Sequence, residues 1–313
     1  MKQATKRLPL GGHRGLGCTD HDFYQNLRDV TRLPAENTLE SVDAAFRAGA
    51  DYIETDVMMS GDGVLFTLHN IVPKDHFFGN PIPSMPLSEM AFADIKKHKT
   101  GRCRKGTIAR FDDMLELVAR LDPHTLPWGV NIEIKGVQGS GQPYEQNDFL
   151  PRIAEAVKKS HLPSERILWS SFCMESLIRI SHLFPQSSFG MLFGEKPEAE
   201  PIYKDHVGEP HYQYLPFDIK TVDFVRGEWE KHAHKDAVLG YVHPETMTIS
   251  TAMIDAIAER GLGINSWGLF EKLDAERAAV YAKIFNHASG KEVKYTAITD
   301  YLPEMKKLNK ISF

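Results

Sequence analysis

Apolar and polar positions along the chain follow two periods. Short runs that alternate every second residue, or stay apolar throughout, predict strands. Stretches in which apolar residues recur every three or four positions predict amphipathic helices. Residues 8–12 form a first short strand that ends in Gly12-His13-Arg14-Gly15, and residues 16–33 are polar and read as a long loop. Pro34-Ala35-Glu36-Asn37 opens a helix that runs through Ala48. Asn37 is its expected N-cap, with Glu40 as capping-box partner, a stripe of Leu39, Val42, Ala45 and Phe46, and Gly49 as its stop. Residues 50–70, ADYIETDVMMSGDGVLFTLHN, hold two strands joined by the turn residues Ser60-Gly61-Asp62-Gly63.

Residues 71–110 are rich in proline and basic side chains and leave room for one short helix near 88–97. From there the alternation is regular. Helices are predicted at 111–121 (Met114, Leu115 and Val118 on one face), 149–160, 173–183, 219–232, 250–260 and 273–285. Strands are predicted at 129–136, 166–172, 187–193, 237–243 and 261–267. Residues 297–300 are a last extended segment, followed by a short helix to Lys310. Counting the three early strands, there are eight strand candidates, most followed by a helix. This pattern predicts an α/β protein built as a single (β/α)8 TIM barrel with loop insertions. An open doubly wound sheet is the alternative, but no GxGxxG follows the first strand. One domain is expected over residues 1–313, with an insertion at about 71–128 and an extended loop and helix at about 195–235.

Composition changes this picture little. Hydrophobic residues at 42% and charged residues at 25% of 313 can build a full core. The net charge of −5 leaves no basic excess with which to neutralise a nucleic acid. Cys18, Cys103 and Cys173 form no CxxC pair, so neither a structural zinc site nor a disulfide framework is expected. No apolar run long enough to span a membrane and no apolar signal core near the first residues occur, so a cytoplasmic protein is expected.

In a barrel, chemistry sits at the C-terminal ends of the strands. Those ends carry His13-Arg14, Glu54 with Asp56, His69-Asn70, Glu133 with Lys135, His243-Pro244 and Asn265-Ser266-Trp267. Glu54 and Asp56 are two apart and face one side of their strand. Glu54, Asp56 and Glu133 offer only oxygen, which suits Mg2+ or Ca2+. Ordinary salt bridges to Arg or Lys are the competing explanation. His13 and His69 have the right chemistry for a general acid and base, or are hydrogen-bonded structural residues. Arg14 and Lys135 place a fork and a point charge beside the acids, as a phosphate would require. Trp267 is a weaker signal, since a tryptophan at a strand end is more often a packing residue than a substrate platform.

Taken together, the motifs resemble the glycerophosphodiester phosphodiesterase family. The resemblance rests on His13-Arg14-Gly15, Pro34-Ala35-Glu36-Asn37-Thr38, Gly49-Ala50-Asp51, Ile53-Glu54-Thr55-Asp56-Val57, Asp62-Gly63, His69-Asn70 and Ile132-Glu133-Ile134-Lys135. Looser matches follow at Ser171-Phe172, His243-Pro244, Asn265-Ser266-Trp267 and Thr299-Asp300. The resemblance implies a (β/α)8 barrel that uses a divalent cation to cleave glycerophosphodiesters to glycerol 3-phosphate and an alcohol. It makes His13 and His69 the acid/base pair and Glu54, Asp56 and Glu133 the metal ligands. Arg14 and Lys135 would hold the phosphate, and Trp267 would border the glycerol. The segment between His69 and Glu133 matches the small insertion of that family. Asn70 departs from the pattern, because the family's second histidine is usually followed by Asp. A lysophospholipase D or sphingomyelinase D type of phosphodiesterase, and a non-catalytic barrel that binds phosphodiesters, are the alternatives.

Overall fold

The computed structural model describes residues 8–16, 33–69, 87–100, 106–135, 148–194, 215–269, 277–278, 280–283, 295–300 and 302. Eight parallel strands close into a barrel: β1 (Leu10–Gly12), β2 (Tyr52–Met59), β6 (Val130–Ile134), β7 (Ile167–Ser171), β8 (Ser188–Phe193), β9 (Val238–Pro244), β10 (Gly263–Leu269) and β11 (Tyr295–Thr299). Each pairs with its neighbour in the order given. Closure comes from β1, which pairs with β2 on one side and with β11 on the other. Helices α1 (Leu39–Arg47), α3 (Phe111–Leu121), α4 (Phe149–Lys159), α5 (Met174–Leu183), α6 (Ile219–His232) and α7 (Thr251–Glu259) lie between strands, and residues 277–278 and 280–283 are helical ahead of β11. The apolar stripe of α3, Phe111, Met114, Leu115 and Val118, is buried against the barrel wall, as its spacing predicts. Among the described residues no helix is long and apolar enough to cross a membrane.

The ring has the expected eight strands, but the structure corrects which segments form it. The expected third barrel strand, β3 (Leu65–Thr67), is not part of the ring. It folds back antiparallel on the far end of β2, with Val57 opposite Thr67 and Met59 opposite Leu65. The turn between them is too short for a helical crossover, so only an antiparallel return is available. The ring is completed instead by β11, which reads as a trailing extended segment. With a 3-10 turn (Leu87–Glu89), helix α2 (Phe92–Ile95) and the small antiparallel pair β4 (Lys99–Thr100) and β5 (Gly106–Thr107), β3 builds a side layer. Met58, Phe66, Leu68, Leu87, Phe92, Ile95 and Ile108 form its own apolar cluster. The expected helix near 88–97 is thus two shorter pieces.

The start of α1 also differs from expectation. Thr38, not Asn37, is the N-cap. Its side chain accepts from the Ser41 backbone N–H, and the Ser41 hydroxyl accepts from the Thr38 N–H. Glu40 takes no part in this box. Most of the two long loops (residues 17–32 and 195–214), Asn70, and residues 303–313 with the expected last helix lie outside the described residues.

The main core lies between barrel and helices. Inside the barrel, Tyr52, Trp128, Leu168 and Ile298 fill the lower part. Above them the lining turns polar, with Asn131, Ser170, His243 and Asn265 all buried. The His243 ring packs on the backbone of Gly190, where a Cβ would lie 2.1 Å from Nε2, so that strand position accommodates only glycine.

Candidate active site

The predicted residues of β1, β2 and β6 converge at the C-terminal mouth. Pairing puts Asp56 level with Glu133 on the neighbouring strand, and Glu54 points the same way two residues earlier. One carboxylate oxygen from each of Glu54, Asp56 and Glu133 lies within 4.8 Å of the others. Lys135 stands just past β6 and bridges two of them, with Nζ 2.7 Å from Asp56 Oδ1 and 2.6 Å from Glu133 Oε1.

The loop after β1 carries the next two residues. Arg14 is left-handed (φ 50) and is followed by Gly15 at φ 81, where a Cβ would strike the backbone of Ser41 at 2.5 Å. This tight turn folds Arg14 back over the acids. Its backbone N–H donates to Glu54 Oε2 at 2.9 Å. Its guanidinium donates from Nη1 to both oxygens of Glu36 at 3.0 Å, and Nε lies 3.5 Å from Asp56 Oδ2. His13 points Nδ1 at Asp300, 3.0 and 3.1 Å from its two oxygens, which leaves Nε2 on the side of Glu54, 3.9 Å away.

The charges of this cluster are far from their ordinary balance. Burial, then the charges of Asp56 and Glu133, push Glu54 up to about 8. Burial opposes the charged form of Asp56 as well, but Lys135, His69 and Arg14 outweigh it and hold Asp56 well below the usual carboxylate range. Glu133 is raised, chiefly by burial, against the pull of Lys135. For His13 burial works against the charged ring and Arg14 adds to that, yet Asp300 and Glu54 prevail and its pKa lies above the ordinary histidine value. The effect of His69 on Asp56 places the second histidine within electrostatic reach of the acids. Its own residue is half-buried at the end of the β2–β3 hairpin.

Trp267 is set apart from this cluster, at the ends of β7, β8 and β10. Its Nε1 donates to the His243 carbonyl at 3.0 Å, and its ring meets Phe172 edge-on at a centroid distance of 6.0 Å. Gly194 faces both rings. Trp267 is therefore half of an aromatic corner rather than an isolated platform. His243 is not a surface ligand. It is fully buried, its two ring nitrogens make no hydrogen bond among the described residues, and burial lowers its pKa to about 3.

Glu36, Asn37 and Asp300 also belong to the cluster, and the sequence pattern does not assign them to the site. All three stand in motifs that carry the family resemblance, but only the folded chain shows what they touch.

Oxygen donors of this number and spacing fit a hard divalent cation. Such an ion lies roughly 2.0–2.6 Å from each oxygen and so bridges oxygens up to about twice that distance apart. Glu54 Oε1 is buried with no hydrogen-bond partner among the described residues, an acceptor that a cation would satisfy. Salt bridges account for Asp56 and Glu133 through Lys135, but they leave this oxygen of Glu54 unexplained.

A closed (β/α)8 barrel that gathers carboxylates, a lysine, a guanidinium and an oriented histidine at its C-terminal mouth has the layout of an enzyme site. Residues 13–288 match the model of the glycerophosphoryl diester phosphodiesterase family, and the chain belongs to that family. It is accordingly a phosphoric diester hydrolase. No curated protein sequence matches it. Among solved structures, it shares its fold with an Oleispira antarctica phosphodiesterase in complex with the product sn-glycerol-3-phosphate (17% identity, 96% of each chain covered, TM-score 0.63). It also shares it with glycerophosphodiester phosphodiesterases from Parabacteroides distasonis (16% identity, 98% of each chain, TM-score 0.63) and Thermotoga maritima (18% identity, 97% of this chain and 100% of that one, TM-score 0.57).

Proposed function

We propose that this chain, acting as one catalytic domain, hydrolyses glycerophosphodiesters to glycerol 3-phosphate and an alcohol. Glu54, Asp56 and Glu133 would hold Mg2+ or Ca2+, and the observation that carries this reading is the unpartnered, buried Glu54 oxygen beside the oriented His13–Asp300 pair. When bound, the cation supplies positive charge for the phosphoryl oxygens. Arg14 and Lys135 add to it from fixed positions, so the negative charge that builds on phosphorus meets donors already in place.

Asp300 accepts from His13 Nδ1 and so keeps Nε2 toward the reacting atoms. His13 and His69 move the protons. One takes the proton of the attacking oxygen as its bond to phosphorus forms, and the other gives a proton to the alcohol oxygen as its bond to phosphorus breaks. The attacking oxygen is that of water, or of the substrate's own glycerol hydroxyl with a cyclic phosphate hydrolysed afterwards. Trp267 and Phe172 offer an apolar wall to the carbon face of the glycerol.

The test is hydrolysis of glycerophosphocholine before and after exhaustive chelation. Activity should disappear with EDTA and return with Mg2+ or Ca2+. Undiminished turnover in EDTA would remove the cation from the mechanism. A panel of lysophospholipids assayed beside it separates this reading from a lysophospholipase D type of substrate.

A further inference from the structure

We propose that Asn37 is a positioning residue that sets the affinity of the cation site by locking the Asp56 carboxylate, and that it ties the Arg14 loop and the His69-bearing strand to the same point. This rests on the cation reading of Glu54, Asp56 and Glu133 above.

Thr38 caps α1, so the Asn37 side chain is available for other partners. Its amide grips a single residue from two sides. Nδ2 donates to Asp56 Oδ2 at 2.8 Å, while Oδ1 accepts from the Asp56 backbone N–H at 3.2 Å and from the Thr55 hydroxyl at 2.8 Å. A carboxylate whose main chain and one oxygen are held by the same planar amide has little freedom to turn. Its other oxygen is left facing Lys135 at 2.7 Å.

The backbone of Asn37 extends the clamp. Its N–H donates to the Arg14 carbonyl at 2.9 Å, and its carbonyl accepts from the Thr67 hydroxyl at 2.7 Å, two residues before His69. Asn37 holds φ 55, a conformation that asparagine tolerates better than most residues. The residue is 1% exposed, so water does not readily replace these bonds. One asparagine therefore meets Arg14, a candidate metal ligand and the strand of the second histidine. Partners that orient a ligating carboxylate in this way act through metal affinity.

The test is calorimetric titration of Ca2+ into the whole chain, wild type against two variants. Asn37→Gly keeps the left-handed backbone accessible and removes all three side-chain bonds. Asn37→Asp keeps the size and the acceptor at Oδ1 but turns an oxygen toward Asp56. Both should weaken the Ca2+ Kd by about 10-fold or more, the usual effect of losing such a partner. The added negative charge of Asn37→Asp would by itself tighten Ca2+ binding, so weaker binding there isolates geometry from charge. A purely structural role would lower the Tm in EDTA and leave the Kd of the folded variants unchanged. That result, or tighter binding in Asn37→Asp, overturns the inference while the cation reading stands. Absence of uptake of both Ca2+ and Mg2+ by the wild-type chain overturns both.

Discussion

Glu54 and Asp56 leave one strand on the same side and are held in opposite states of protonation. Burial and its acidic neighbours push Glu54 up to about 8. Asp56, against the same burial, is kept ionised by Lys135, His69 and Arg14. Two like charges this close do not ionise together without compensation, and the fixed cations of the site serve Asp56 first. Glu54 is the member that awaits a further positive charge.

The pH dependence of cation binding follows from this. Glu54 titrates near 4.5 when unperturbed and at about 8 in the folded chain. Between those values the folded chain holds one proton more than the unfolded chain, so this group's stabilisation is lost as pH rises toward 8. A bound cation needs the ionised form and displaces that proton. In EDTA, the Tm of the wild type relative to Glu54→Gln should fall from about pH 5 to about pH 8, and the rise in Tm produced by Ca2+ should grow over the same window. Calorimetry near pH 7 in two buffers of different ionisation heat should register proton release on binding. Equal observed heats in the two buffers would show that no proton leaves on binding.

The His13–Asp300 pair makes a kinetic prediction. His13→Ala and His69→Ala should each lower kcat by about 10²-fold or more. Asp300→Ala should lower kcat by about one order of magnitude or more, because the ring loses the acceptor that fixes its orientation. KM should move less than kcat in all three. A near-wild-type kcat in His13→Ala would take that ring out of the reaction.

Lys135 bridges Asp56 and Glu133, and its removal leaves the buried Asp56 and the half-buried Glu133 without their common partner. Lys135→Met should destabilise the chain in EDTA by about 3–5 kcal/mol, the scale for breaking a buried ion pair from one side. Saturating Ca2+ should recover part of that loss, since it supplies charge to the same oxygens. Denaturant unfolding with and without Ca2+ measures both numbers. A loss of the same size in both conditions would show that the cation and Lys135 do not share the acids.

His243 should be an acid-sensitive point of the barrel interior. Its pKa is lowered to about 3 from an ordinary 6.5 by burial. From about pH 6.5 down to about pH 3 the unfolded chain takes up a proton that the folded chain refuses, so stability is lost as pH falls. His243→Leu removes this titration and two unpartnered ring nitrogens. It should flatten the acid side of the stability profile by about 1.4 kcal/mol per pH unit in that window. An unchanged acid limb would show that the ring finds a partner in solution.

The sequence shows the fold and the acids well, and the connections between them poorly. The period-2 pattern places Glu54 and Asp56 on one face, and the helical stripe of α3 packs as written. The pattern fails at β3, because an outlying antiparallel strand whose residues are all buried carries the same apolar pattern as a ring strand. It fails again at Asn37, where two adjacent polar residues both suit an N-cap and only the reciprocal Thr38–Ser41 bonds decide between them. Asp300 is hidden for a different reason. Its partner is 287 residues away, a distance over which no local rule of pattern or propensity operates.

That separation has a consequence for how the enzyme comes into being. Glu54, Asp56, Glu133 and Lys135 all belong to the first half of the chain, as do both candidate histidines. Asp300 follows β11, the strand that seals the ring against β1. During synthesis the acids can gather long before His13 receives its orienting partner. The candidate site lies across the seam of the barrel, and its full assembly therefore waits on closure of the ring.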